Sequence, residues 1–284
     1  MISPSRHIRA RSAPSAEESF HSAGGEHLAM PTAGSTVCVM PDAIFDHPRV
    51  ARVYDSLDPD RSDLNTYVDL VDEFGATAVL DVGCGTGTLC SRLAERGMRV
   101  LGVDPAGASV NVARTKAGAD RVTWVVGTTL DVAADPARHQ QYDLAAMTAN
   151  VAQVFLEDHE WLANLGAIRT CLRPGGHLAF ESRLPSDRGW ERWTKELSHR
   201  VVKVQGEGPV EDWVQVTRID GELVTFDSPT IFLADGERID STSTLRFRTQ
   251  EALERSLSAA GFAEIEVRDL PYAPGRGWLI IARA

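Results

Sequence analysis

The chain has 284 residues, 43% hydrophobic and 24% charged, with 29 Lys and Arg against 40 Asp and Glu for a formal net charge of −11. That length supports one large domain with a full core. The acidic balance argues against holding nucleic acid by its phosphates or a membrane by a polybasic face. Cys38, Cys84, Cys90 and Cys171 form no CxxC pair, so no disulfide framework and no metal site is expected. No apolar run approaches the ~20 residues of a membrane span, and Arg6, Arg9 and Arg11 precede no apolar stretch of a secretory signal. The expectation is a cytoplasmic enzyme or small-ligand binder.

Residues 1–40, rich in Ser, Ala, Gly and Pro, predict a disordered N-terminal tail, with Met30 and Met40 as alternative starts. The domain is expected over 41–284. Within 41–75, Phe45, Val50, Val53, Tyr54 and Leu57 recur at helical spacing until Pro59. Ser62 then opens a second helix, closed by Gly75. Over 76–183 short apolar runs alternate with helical patterns. Strands are predicted at Ala78–Val82, Arg99–Val103, Val122–Val126, Leu144–Met147 and His177–Glu181, with a helix over Asp158–Leu172 before the last. Such alternation means a parallel, doubly wound α/β sheet.

Residues 184–248 change character. Asp220-Gly221 and Asp235-Gly236 are hairpin turns, so one antiparallel β-meander, inserted after strand five, is expected as a lid. Over 249–284, Thr249 caps a helix ending at Gly261, and Ile265–Val267 with Trp278–Ile281 return to the sheet as a hairpin. The whole reads as a Rossmann-like, mostly parallel seven-stranded sheet carrying that insertion.

The richest segment is Val79-Leu80-Asp81-Val82-Gly83-Cys84-Gly85-Thr86-Gly87. Glycines at a strand-to-helix turn let backbone approach a ligand, and the helix start presents free N–H groups. Asp104 ends the second strand, where a carboxylate can accept the hydroxyls of a ribose. A dinucleotide fingerprint would need glycine at position 88, which is Thr88. Asp81, beside the first glycine, opposes a pyrophosphate and suits a ligand with an ammonium group.

These residues resemble the class I S-adenosylmethionine-dependent methyltransferases, whose first motif is similar to VLDVGCGTG here. The resemblance covers about 45–183 plus the C-terminal return, and includes Leu172-Arg173-Pro174-Gly175-Gly176 before the fifth strand. It implies S-adenosyl-L-methionine as cofactor. The loop of Gly83, Cys84, Gly85 and Gly87 would pass under its methionine part, Asp81 would hold the amino group and Asp104 the ribose, next to Pro105. The family's acidic adenine contact after the third strand is replaced by Gly127-Thr128-Thr129-Leu130-Asp131. Thr128, with Thr129 beside it, can take over that bond, or Asp131 can bend back. Tyr54 matches a Tyr-Asp pair that lies over the cofactor in related enzymes; packing as a core aromatic is its alternative. Asn150 follows strand four and completes the expected contacts.

A sulfonium methyl is already activated, so alignment and exclusion of water suffice unless the acceptor must lose a proton. No catalytic dyad is visible; His159 and His177 read as surface or structural. Residues after strands four and five border the acceptor, notably Gln153, Glu181 and Arg183, with Trp190 and Trp193 as walls. Thr148-Ala149-Asn150-Val151 stands where amino-directed DNA methyltransferases place a Pro-Pro-aromatic grip, and no Pro-Cys occurs, so no nucleic-acid substrate is expected. The reading is methyl transfer to O or N of a small-molecule acceptor. The alternative is a non-catalytic S-adenosylmethionine-binding module serving a partner protein, with a nicotinamide dehydrogenase third.

Overall fold

Proline punctuation sets the first elements of the computed structural model, which describes residues 41–284; the expected disordered tail and Cys38 lie outside the described residues. The single helix expected around Phe45–Leu57 is two, α1 (Ala43–Asp46) and α2 (Pro48–Leu57). A residue before proline is pushed out of the helical region, and His47 is extended (φ −77°, ψ 122°), so Pro48 starts a new helix at its first turn. A 3-10 turn, Ser62–Leu64, leads into α3 (Asn65–Glu73).

The apolar runs form strands as the pattern predicts: β1 (Ala78–Val82), β2 (Arg99–Asp104), β3 (Val122–Val126), β4 (Tyr142–Met147) and β5 (Leu172–Arg183). Between them lie α4 (Thr88–Glu95), α5 (Gly107–Ala113), α6 (Thr129–Ala133) and α7 (Asp158–Cys171). β5 begins earlier than expected. Its register against β4 jumps from Tyr142–Leu172 to Leu144–His177, so Pro174-Gly175-Gly176 bulges within the strand instead of preceding it. Gly175 supplies the positive φ of 78° that the bulge needs.

The insertion corrects the expectation of one meander. After α8 (Lys195–Ser198) come β6 (Arg200–Val204), β7 (Gly208–Asp212), β8 (Gln215–Asp220), β9 (Leu223–Asp227), β10 (Thr230–Phe232), β11 (Glu237–Ile239) and β12 (Thr242–Arg246). The two Asp-Gly turns do close hairpins, β8–β9 and β10–β11. Yet the strands divide into two sheets, ordered β11-β10-β7-β6 and β12-β9-β8. Burial decides this. Phe232 and Val210 join Val204 against Val50, Val53 and Leu57 of α2, a core the other sheet does not share. Hairpin turns fix neighbours in sequence, whereas side-chain burial fixes which hairpins lie together.

Thr249 caps α9 (Gln250–Ala259) by accepting from the Ala252 N–H, and β13 (Ala263–Asp269) and β14 (Gly277–Arg283) close the chain as an antiparallel pair. The main sheet runs β13-β14-β5-β4-β1-β2-β3, seven strands with only β14 antiparallel to β5 and to β13. It is an α/β Rossmann-like sheet. Side-chain alternation sends Leu80, Val82, Met147 and Phe180 to the face covered by α7 and α9. Val79, Ala146 and Ile281 face α3 and α4. β1 is the switch point: β2 lies on one side of it and β4 on the other, so a crevice opens at their carboxyl ends.

Candidate active site

Gly83, Gly85 and Gly87 all take positive φ (72°, 52° and 77°), which makes the turn from β1 to α4 tight. A Cβ on Gly83 would fall 2.5 Å from Val151 Cγ2, so this glycine lets the post-β4 turn close on the loop. Gly87 is pressed against the Trp124 ring and Ala113. Gly85 meets nothing: its Cβ would stand in open space, on the face a ligand can approach. The Cys84 thiol turns the other way, toward Gly102 and the core, leaving only its backbone to the cleft.

Asp81 lies on β1 beneath this loop and is 1% exposed. Its Oδ2 accepts from the Cys90 thiol at 3.1 Å, while Oδ1 is buried with no hydrogen-bond partner among the described residues. Burial pushes its carboxyl up to about 7, with the Cys90 bond opposing. Asp104, at the end of β2, accepts from the Gly85 N–H through Oδ2 and from the Ala106 N–H through Oδ1, both at 2.8 Å. It therefore braces the loop and the start of α5, and each oxygen keeps a further lone pair. Burial raises its carboxyl and the two N–H bonds lower it. Pro105 is exposed and holds the chain between them.

Tyr54, on α2, is half-buried, and burial raises its phenol. Its ring centroid is 6.0 Å from that of Phe45. The adjacent Asp55 accepts from Thr86 Oγ1 at 2.6 Å and pairs with Lys116 Nζ at 2.6 Å, which clamps α2 to the glycine loop. After β3 both sequence alternatives meet in one motif. Thr128 N–H and Oγ1 donate to Asp131 Oδ2 at 2.7 and 2.8 Å, a capping box that starts α6. Asp131 does bend back, but onto Thr128. Thr129 is 2% exposed and faces inward. Val126 and Leu130, both exposed, leave an apolar surface at this end of β3.

Strands four and five supply a second group. Ala149 and Asn150 hold positive φ of 53° and 61° without being glycine, a strained turn. Glu181, 1% exposed, holds that turn in place. Its Oε1 accepts from the Asn150 N–H at 3.0 Å, and its Oε2 accepts from the Tyr67 hydroxyl. Burial raises the Glu181 carboxyl, with Tyr67, Tyr272 and the Asn150 N–H opposing. Asn150 Oδ1 is buried without a partner among the described residues. Arg183 Nη1 donates to Gln153 Oε1 at 2.9 Å, and Gln153 Nε2 to the Arg246 carbonyl at 3.3 Å, joining β5, the post-β4 turn and the insertion. Trp190 packs edge-on to Phe247, its ring centroid 4.6 Å away, and Trp193 to Phe226 at 4.9 Å.

The structure thus brings Asp81, the glycine loop, Asp104, Tyr54, Asn150, Glu181 and Arg183 to the carboxyl end of the sheet. His177 stacks on Phe74 at the far end of β5, away from them. Sequence reasoning missed Cys90, Thr86 and Tyr67 as contributors, and gave Asp55 only as the second member of the Tyr-Asp pair at Tyr54. Only Cys90 left a local signal, since the first turn of α4 brings it back over the strand that carries Asp81. Among the described residues, no cluster of His, Cys, Asp or Glu can hold a metal, and no helix is long and apolar enough to cross a membrane.

Residues 79–176 match the family model of a methyltransferase domain. The chain is 35% identical over 106 residues to a ubiquinone biosynthesis O-methyltransferase of Acinetobacter baylyi, covering 37% of this chain and 42% of that one. It is 33% identical over 109 residues to a cypemycin N-terminal methyltransferase of Streptomyces, covering 38% and 43%. The chain spans less than half the length of these curated relatives. The sugar N-methyltransferase KedS8 of Streptoalloteichus shares the fold, with a TM-score of 0.65 over 93% of this chain and 99% of that one at 23% identity. Together with the sheet order, these similarities show a match to a methyltransferase domain over residues 79–176 and a fold shared with solved methyltransferases.

Proposed function

We propose that the protein transfers the methyl group of S-adenosyl-L-methionine to an O or N atom of a small molecule. The observation that carries this reading is the pair of buried carboxylates flanking the open side of Gly85. Asp81 Oδ1 is a buried acceptor with no partner among the described residues, which suits an ammonium group. Asp104, fixed by two N–H bonds, suits a pair of ribose hydroxyls. The cofactor would supply an activated methyl carbon. The chain's own part is to bind and align: the loop admits the methionine portion closely, Tyr54 covers it, and the apolar Val126 and Leu130 offer a surface to the adenine. The post-β4 turn and β5 would hold the acceptor, and the insertion would keep water out.

The O-methyltransferase and N-methyltransferase names of the relatives support a small-molecule acceptor of either kind. With no histidine among the converging groups, an amine acceptor that loses its proton to solvent needs no further base here. Calorimetry with S-adenosylhomocysteine should give a saturable isotherm that Asp104→Ala weakens strongly. An intact protein that binds neither this nor S-adenosylmethionine overturns the reading. Turnover to S-adenosylhomocysteine with a metabolite mixture separates an enzyme from a non-catalytic binding module.

A further inference from the structure

We propose that the methyl acceptor is anionic and that Arg183 receives its carboxylate or phosphate group, an inference that rests on the methyltransferase reading. Arg183 closes β5 at the carboxyl end of the sheet, where the candidate site lies. Its guanidinium is held on one side by Gln153 Oε1 at 2.9 Å and lies 5.2 Å from the centroid of the Trp193 ring. The fork is therefore oriented before any ligand arrives. No carboxylate of a described residue comes within ion-pair distance of it.

Other enclosed arginines are treated differently. The side chains of Arg49, Arg61 and Arg246 are 17%, 16% and 21% exposed, and each pairs with at least one carboxylate. Even Arg248, 3% exposed, has Asp158 Oδ1 at 3.6 Å. Arg183 is desolvated, which lowers its pKa, and the acid whose charge acts most on it is Glu181. That acid is engaged by Tyr67 and Asn150 and pushed toward its neutral form by burial. A desolvated guanidinium with its counter-ion missing is costly, and a bidentate oxyanion offsets that cost. The walls beside it, Trp193 and the Trp190–Phe247 pair, suit the body of a small organic acid or phosphate ester, and Trp190 Nε1 is a further buried donor without a partner among the described residues.

The cofactor's own carboxylate is the competing anion, and the S-adenosylhomocysteine affinity of an Arg183→Gln variant distinguishes the two. Arg61, the other arginine near Asp81, is already paired with Asp63 at 3.1 Å.

The test titrates inorganic phosphate and benzoate into the full chain, with and without S-adenosylhomocysteine. Saturable binding of at least one anion is expected, weakened roughly tenfold or more by Arg183→Gln, with S-adenosylhomocysteine affinity within about twofold of the native value. Gln153→Ala, which frees the fork but keeps the charge, should weaken the anion less. It serves as the second variant should Arg183→Gln melt early. Binding of phosphate alone points to a phosphorylated acceptor, and of benzoate alone to a carboxylic acid. The proposal falls if a protein that binds S-adenosylhomocysteine binds neither anion saturably, or if Arg183→Gln and Gln153→Ala leave anion binding unchanged. It falls equally if Arg183→Gln costs cofactor affinity instead. Failure of the methyltransferase reading shows separately, in the S-adenosylhomocysteine titration alone.

Discussion

The proposed cofactor side of the cleft is written in one stretch of chain, from Asp81 through the glycine loop to Asp104, and the bonds of Asp104 go to backbone. The proposed acceptor side is assembled from distant pieces. Tyr67 reaches Glu181 across 114 positions, and Gln153 reaches the Arg246 carbonyl across 93. The first side is a local motif that any chain of this pattern reproduces. The second depends on how the helices and the insertion pack, so it is the side on which acceptor choice can change without disturbing the cofactor cradle. Gly83 is where the two meet, through its close approach to Val151.

The largest effect should come from Asp104→Ala. Losing two charge-assisted bonds to a ligand, each about 1.5–3 kcal/mol, should weaken S-adenosylhomocysteine on the order of 100-fold or more by calorimetry. An unchanged affinity would mean that Asp104 serves only as a brace. Gly83→Ala should destabilise by roughly 2–4 kcal/mol, because it adds a Cβ into Val151 at a positive φ. Gly83→Ala with Val151→Ala should recover part of that loss in a denaturant melt. Simple additivity of the two would separate the two sides of the cleft.

Asp81→Asn should change two quantities in opposite directions. The Asp81 carboxyl is pushed up to about 7, well above its unfolded value, so the stability it contributes is full at low pH and is lost as pH rises toward 7 and above. The unliganded native protein should therefore melt lower at pH 8 than the Asn variant, by on the order of 2–4 kcal/mol. Binding of the ammonium-bearing ligand should follow the reverse course, tightening as pH rises through about 7, and the Asn variant should lack that rise. A native pH profile that is flat would remove Asp81 from the ligand. The smallest effect is expected of Thr128→Ala, which breaks the capping box of α6 and should cost about 1 kcal/mol of stability with a change in affinity of only a few fold. A larger drop in affinity would make Thr128 a ligand contact.

Much of the central sheet could be read from composition and spacing. Strands such as Ala78–Val82 are buried on both faces and flanked by helices, and that pattern has few folded solutions. The break at Pro48 was also legible in principle, because the constraint lies in the neighbouring residue. The division of residues 200–246 into two sheets was not. Asp-Gly turns specify a hairpin locally, but nothing local says that β10 pairs with β7 while β12 pairs with β9.

The same divide runs through the site. Asp81, Gly83, Gly85, Gly87 and Asp104 were identifiable because glycine conformation and strand-end position are sequence properties. Cys90, Thr86 and Tyr67 were not, since a thiol, a loop hydroxyl and a core tyrosine become contributors only through what folds against them. The sequence by itself determined the parallel sheet, its switch point and the loop with its two acids, because each follows from short-range periodicity and backbone sterics. Tertiary structure alone decided that Asp131 caps a helix, that Glu181 steadies a strained turn, and that the half-buried Arg183 has no counter-ion among the described residues. Hydrogen-bond satisfaction and desolvation are properties of a side chain's surroundings, and those surroundings come from segments far apart in the chain.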